Sequence, residues 1–290
     1  MEIKAEILKM IQKKDSDIPT LSVVIERIIS VASDEKTTTE DLAEVISYDQ
    51  GMTNKLLKLA NSIYYAQKTK VETIKRSISV IGFDEIIGIA LGMGILSSFT
   101  DKSGLSLDMK ALWIHGIGVA TASKDLAKRT NPGIANKIFI PALLHDMGKV
   151  IFSIYFKEEY KKVRQLAMET RKPLYFAENI LFKLDHAILS ALLMKRWNFP
   201  QSILFPCRFH HNPESAPIKF RHHSLIINLA DYLTQKAGIG HSGNPVPVTV
   251  KNSPKKIGIS TSVLTLVIDQ LKRKEAEINE FFTITTEPQS

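Results

Sequence analysis

Cysteine is almost missing from this chain: Cys207 is the single one in 290 residues. An internal disulfide is thereby excluded, and the composition fits a reducing compartment such as the cytoplasm. Cys207 follows the apolar run 203–206 and reads as a small core residue. Long apolar runs are missing as well. The most apolar stretch, Ile86 to Phe99, carries no charge but falls short of the ~20 residues needed to cross a bilayer. A buried helix is expected there, with Gly88 and Gly92 letting a neighbouring helix approach. The segment from Met1 to Lys14 is amphipathic and charged, without the uninterrupted apolar core of a signal peptide, so no membrane is expected as a partner. Alternating strand patterns are scarce, Val246 to Val250 being the best candidate, and no internal repeat is found. Blocks of one charge sign are absent too. The net charge of +8 comes from scattered Lys and Arg, which describes a solvated basic surface. Without a docking motif or aromatic–basic interleaving, nucleic acid is not expected as a partner.

What remains is an ordinary globular composition, 44% hydrophobic and 23% charged, long enough for one large domain or two smaller ones. Its periodicity is helical. Leu21, Val24, Ile25, Ile28 and Ala32 follow helical spacing after Pro19-Thr20. Thr39 is placed to cap a second helix with Leu42, Val45 and Ile46 inward. Met52, Leu56, Leu59, Ala60 and Ile63 form a third stripe, and Ile74, Ile78 and Ile81 a fourth that stops at Gly82. After a break at Lys102–Gly104, a longer helix carries Trp113 and His115 to about Lys128, where Asn131-Pro132-Gly133 ends it. Another leads through Ala142-Leu143-Leu144 into His145-Asp146. Asp185 has the place of an N-cap for a helix bearing His186, and Leu225 to Leu233 is helical with Asp231 on it. Residues Ala237 to Ile257 read as loop, followed by one helix from about Thr261 to Phe281. The expected fold is all-α, a multi-helix bundle. Its parts are an N-terminal helical subdomain (1–100), a core holding the site (101–240), and a loop with a C-terminal helix (241–290).

Histidines and aspartates recur through the middle at His115, His145-Asp146, Asp185-His186, His210-His211 and Asp231. Imidazole and carboxylate together suit divalent transition metals, and a His-Asp doublet with distant partners describes a pocket assembled from several helices. Each has a plainer explanation on its own. A lone buried histidine is more often a hydrogen-bonded core residue, Asp185 is explained as a cap, and Asp231 near a helix end can face solvent. His222 and His223, beside Arg221, read as surface residues. The doublet is harder to dismiss, because it places two polar groups at the end of an apolar segment. A buried carboxylate needs a partner, and a metal ion supplies one. Gly148 would allow close backbone approach, and Lys149 would direct a cation at whatever the metal binds.

Leu144-His145-Asp146-Met147-Gly148-Lys149 resembles the signature of the HD superfamily of metal-dependent phosphohydrolases. The early His, the doublet and the late Asp of that pattern would fall on His115, His145-Asp146 and Asp231. His186 and His210-His211 match the additional histidines of its two-metal branches. The run from Asp49-Gln50 to Ala60-Asn61-Ser62 narrows the likeness. With Ile74 to Gly82, Leu112 to His115, and Trp197-Asn198-Phe199-Pro200, it resembles the HDOD domain, an HD-related output domain, over about residues 13 to 212. Gln50 stands where that pattern has Pro. After His210-His211 the chain reads Asn212-Pro213-Glu214-Ser215, with nothing like the Gly-Tyr-Pro segment, which argues against cyclic-di-GMP hydrolysis.

The resemblance implies an all-helical bacterial signalling or regulatory protein with a site for one or two divalent transition metal ions. Metal ligands would be His115, His145, Asp146, His186, His210, His211 and Asp231. Iron, manganese, nickel or zinc suits these ligands better than magnesium, which prefers oxygen. Its partner would be a signalling protein or a phosphate-containing ligand. The alternative is a metal-dependent phosphohydrolase in which Asp146 and Lys149 are catalytic, Lys149 stabilising negative charge on the phosphate.

Overall fold

A computed structural model of the chain describes residues 2–13, 18–34, 36–98 and 106–287. Among them the ordered backbone is helical and contains no strand, so the stretch 246–250 is loop. The N-terminal half comprises α1 (Glu2–Gln12), α2 (Val23–Ser33), α3 (Thr39–Ser47), α4 (Gln50–Ala60), α5 (Ile74–Ile81) and α6 (Phe83–Ser97). Short polar side chains start most of these helices. The hydroxyl of Ser22 accepts from the Ile25 amide and that of Thr73 from Arg76, while the Asp49 carboxylate accepts from Met52. The cap of α3 is Thr38 rather than Thr39. Thr38 Oγ1 accepts from the Asp41 amide at 3.2 Å, and the Asp41 carboxylate accepts from the Thr38 amide at 2.9 Å. Likewise α2 begins after Ser22, not directly after Pro19-Thr20. Ile63 does not extend the stripe of α4, which ends at Ala60, and is 58% exposed.

Asn61 explains that ending. Its side chain donates to the Leu57 and Val71 carbonyls and accepts from the Val71 amide, each at 2.8 Å, pinning the loop that leads to α5. Helices α5 and α6 then meet at Gly82, φ 105°, with a bend of 109°. Helix α6 is buried on nearly all sides, as its composition requires. A Cβ at Gly88 would collide with Ile140, and one at Gly92 with Trp113. No single helix among the described residues is long and apolar enough to cross a membrane. The break at Lys102–Gly104 lies outside the described residues.

Helix α7 (Met109–Thr130) is capped by Asp108, whose carboxylate accepts from Ala111, and ends at Asn131. Then come α8 (Phe139–Leu144), α9 (Met147–Tyr155), α10 (Lys157–Thr170), α11 (Leu174–Phe182), α12 (His186–Arg196), α13 (Gln201–Phe209) and α14 (Ile218–Ala237). Helix α7 packs on α8 and α14, α12 on α9 and α13, and α13 on α14, so these six converge around one interior. The chain closes with α15 (Ser253–Lys256), α16 (Thr261–Arg273) and α17 (Glu275–Thr286). The expected single last helix is thus two, broken at Lys274. Helix α17 rests on both α4 and α7, tying the N-terminal half to the second, and one apolar core runs from Ile7 to Ile284.

Candidate metal centre

His115 projects from the second turn of α7 into the interior and is fully buried. Its Nε2 lies 2.9 Å from Asp231 Oδ1 on the neighbouring α14. Asp231 is therefore not a solvent-facing residue: it is 3% exposed and also accepts from Gln235 Nε2 at 2.7 Å. Burial opposes its ionisation, but the hydrogen bond and charge of His115 outweigh that and hold the carboxyl at about 2.

His145 closes α8. Its Nδ1–H donates to the Ala142 carbonyl at 2.8 Å, one turn back in the same helix. In the neutral ring this leaves Nε2 as a bare lone pair, and that atom is buried without a hydrogen-bond partner. His210, closing α13, repeats the device: Nδ1 donates to the Cys207 carbonyl at 2.6 Å, and buried Nε2 has no partner. Cys207 is the buried core residue its surroundings suggested, and its carbonyl orients a candidate ligand. The His145 and His210 rings stand 4.9 Å apart, edge to face.

Asp146 follows at the start of α9, where Gly148 permits a near contact with α12. A Cβ at Gly148 would run into the His186 carbonyl. The Gly148 amide donates to Ser190 Oγ at 2.8 Å, and Ser190 Oγ in turn donates to the His186 carbonyl at 2.8 Å. Asp146 Oδ1 is buried with no well-aligned hydrogen bond, its nearest polar neighbour being His186 Nε2 at 3.2 Å. Burial opposes its negative charge, yet His145, Lys149 and His186 hold the carboxyl well below its ordinary range. Lys149 lies one turn on and bends back onto this carboxylate. It is fully buried, and Nζ donates to Asp146 Oδ2 at 2.7 Å and to the Ser242 carbonyl at 3.0 Å. That carbonyl belongs to the loop after α14, which packs against the site instead of hanging free.

His186 opens α12, with Asp185 as its N-cap accepting from Ile188 at 2.9 Å. Asp185 is thus structural. His186 Nε2 stands 3.2 Å from Asp146 Oδ1 and 2.8 Å from His211 Nε2. Two ring nitrogens so close must share a proton or a cation. Adjacent nitrogens on one ion with bonds of about 2.0–2.1 Å stand roughly 3 Å apart, so the spacing suits either. Burial disfavours the charged His186 ring, but Glu178 outweighs it and raises the group to about 9. A proton therefore occupies this position, and a metal ion would displace it. Burial and neighbouring rings press His210 and His211 well below the ordinary histidine value, leaving them neutral as ligands must be.

All seven candidates thus meet in one interior. Donor atoms of six of them form two groups, His115 with His145 and Asp146, and His186 with His210 and His211, each within 4.8 Å, and Asp231 adjoins the first through His115. The residues fit a divalent cation on three counts: the unpartnered Nε2 atoms of His145 and His210, the neutral rings of His145, His210 and His211, and the ionised carboxylates of Asp146 and Asp231. Two neighbours escaped the sequence reading. Glu178 on α11 accepts from His186 Nδ1 at 2.6 Å, and Tyr175 on the same helix stacks on the His211 ring at 4.3 Å. An acid inside the apolar helix Leu174–Phe182 was the available signal for the first. His222 and His223 are half-buried rather than exposed, and outside the cluster.

A cleft lined by Trp113, Leu143, Met147 and Val150 reaches Asp146, but its volume is only ≈ 30 Å³. That holds roughly a water or two, not a nucleotide-sized phosphoester.

Residues 18–213 match the family model of the HDOD domain. A full-length likeness exists to an HDOD domain protein with unknown function from Geobacter sulfurreducens, 23% identical with a TM-score of 0.77, covering 97% of this chain and 96% of that one. A candidate signal-transduction protein of Marinobacter aquaeolei VT8 is 19% identical with a TM-score of 0.81, covering 99% of this chain and 66% of its own. A candidate phosphohydrolase of Shewanella amazonensis SB2B is 18% identical with a TM-score of 0.74, covering 97% and 98%. At these identities the likeness is one of fold. An uncharacterized protein of Treponema pallidum (strain Nichols) is 26% identical over 227 residues, 76% of this chain but 43% of that protein. The chain thus spans less than half the length of that relative.

Proposed function

The chain belongs to the HDOD family, and from that premise we propose that it is a regulatory signalling protein built around a buried divalent transition-metal centre. The observation that carries this reading is the pair of histidines, His145 and His210, each locked by a backbone carbonyl through Nδ1 and each left with a buried, unpartnered Nε2. A buried acceptor without a donor costs about 1–3 kcal/mol, and a cation removes the cost at both rings together. His115, His145, Asp146 and Asp231 would hold one ion, and His186, His210 and His211 a second. Iron, manganese, nickel and zinc fit this mixture of nitrogen and oxygen donors. The narrow cleft favours a regulatory role over turnover, with a signalling protein as partner. Chelator-treated protein titrated with zinc in a calorimeter tests the reading. Binding is expected at one or two positions, released protons should accompany it, and a flat isotherm would contradict it.

A second reading, a metal-dependent phosphohydrolase, is favoured by the completeness of the ligand set and by the Lys149 cation beside Asp146. A bound ion would supply Lewis acidity and an activated water. Lys149 would have to leave the Ser242 carbonyl to meet a phosphate, and the loop after α14 would have to move. A panel of phosphomonoesters and phosphodiesters with added manganese separates the readings: turnover supports hydrolysis, and a filled site without turnover supports regulation.

A further inference from the structure

Glu178 and Tyr175 sit three residues apart on α11, so they share one face of it. That face meets the second group of histidines. Glu178 is fully buried, and Oε2 accepts from both the His186 amide at 2.9 Å and His186 Nδ1 at 2.6 Å. Its other oxygen accepts from the Tyr160 hydroxyl of α10 at 2.7 Å, so the carboxylate cannot rotate. Tyr175 lies against His211 with its ring 4.3 Å away and inclined by 29°. His211 is the one candidate ligand that is only half-buried, and His186 is its one hydrogen-bond partner among the described contacts.

We propose that α11 assembles the second half of the metal centre, with Glu178 and Tyr175 as the positioning residues that orient His186 and His211. The assignment rests on His186, His210 and His211 being metal ligands. A plain helix cap does not account for Glu178. Asp185 already caps α12, and capping explains neither the bond to the ring nitrogen nor the one to Tyr160. The first half of the centre has no such dependence. His145 is set by a carbonyl of its own helix and His115 by Asp231 of α14, while in the second half His210 alone is set by its own helix. Holding the Nδ1 proton of a ligand histidine on a carboxylate directs its Nε2 lone pair and raises its basicity, and removing such a partner lowers metal affinity about 10–100-fold.

The test uses the full chain with Glu178→Ala, Glu178→Gln and Tyr175→Leu, read by nitrogen-resolved NMR of the histidine rings and by zinc titration. In zinc-free wild type, the His186 Nδ1 proton should be shifted downfield and slow to exchange. Glu178→Ala should lose that signal and weaken zinc about 10–100-fold at the position that includes His186. The His145 ring signals and the other zinc position should stay as they were. Glu178→Gln keeps an acceptor oxygen and should retain the proton signal with an intermediate zinc affinity. Tyr175→Leu should weaken zinc at the same position alone. A persisting His186 signal in folded Glu178→Ala, or equal weakening at both positions, overturns the proposal. Should Glu178→Ala not fold, an unchanged zinc isotherm for Tyr175→Leu does so. If the wild type takes no zinc, the metal reading fails, while the ring spectra still decide whether α11 orients His186.

Discussion

The two halves of the centre contain similar side chains but are held in different ways. His115, His145, Asp146 and Asp231 lie on α7, α8, α9 and α14, the most intimately packed part of the molecule, and their orienting partners are each other or a carbonyl one turn away. His186 and His211 depend on side chains of α11, a helix that makes few contacts beyond its neighbours α10 and α12. A ligand oriented by its own helix is present whenever the helix is. A side chain oriented by another element is held only while that element is docked, as His186 and His211 are by α11 and His115 is by α14.

The largest effect should come from Asp146→Ala. It removes a candidate ligand and also leaves the Lys149 ammonium buried without its counter-charge. Breaking a buried pair from one side costs about 3–5 kcal/mol. Thermal unfolding should show that loss together with loss of zinc binding. A double variant that also carries Lys149→Met should recover much of the stability but none of the metal. Recovery of zinc binding in that double variant would show that Asp146 is no ligand.

Next, Gly148→Ala should strike both halves at once, because its methyl group meets the His186 carbonyl and drives α9 from α12. Overpacking of this kind costs about 1–3 kcal/mol. Chemical denaturation should register it, and an unchanged midpoint would mean the contact relaxes without cost.

A smaller effect separates the halves by pH in chelator-treated protein. His186 is raised from 6.5 to about 9, so its contribution to stability is complete below pH 6.5 and fades as pH rises through 9. His145, His210 and His211 are lowered, so theirs is complete above pH 6.5 and fades as pH falls. Unfolding free energies against pH should therefore decline on both sides, and Glu178→Gln should flatten the alkaline side alone. Identical alkaline slopes would contradict the assignment of that limb to the Glu178–His186 pair. The smallest effect is expected for Ser190→Ala. It removes the hydroxyl bridging the Gly148 amide and the His186 carbonyl, at about 1 kcal/mol by thermal melts.

That these side chains cluster was legible in the sequence because order and residue type survive without coordinates: His115, the doublet, the later histidines and Asp231 all arrive in one interior. The all-α fold followed from periodicity alone. What sequence spacing could not reveal was direction. Asp231 sits on a helix whose inward face is decided by α7 packing against it. Lys149 is three residues from Asp146, and helical geometry turns it back onto that carboxylate. Glu178 and Tyr175 lie on the helix before His186, at a separation no local rule links to it, so only the docking of α11 brings them to His186 and His211. Boundaries slipped for similar reasons, as with Thr38, whose claim to the cap over Thr39 depends on the Asp41 reply.

Elemental analysis of the protein as isolated tests the metal centre most directly. A transition metal is expected at near-stoichiometric amount in the wild type and is expected to be lost in Asp146→Ala. Protein that emerges without metal and takes up none from added zinc, iron or manganese would contradict it.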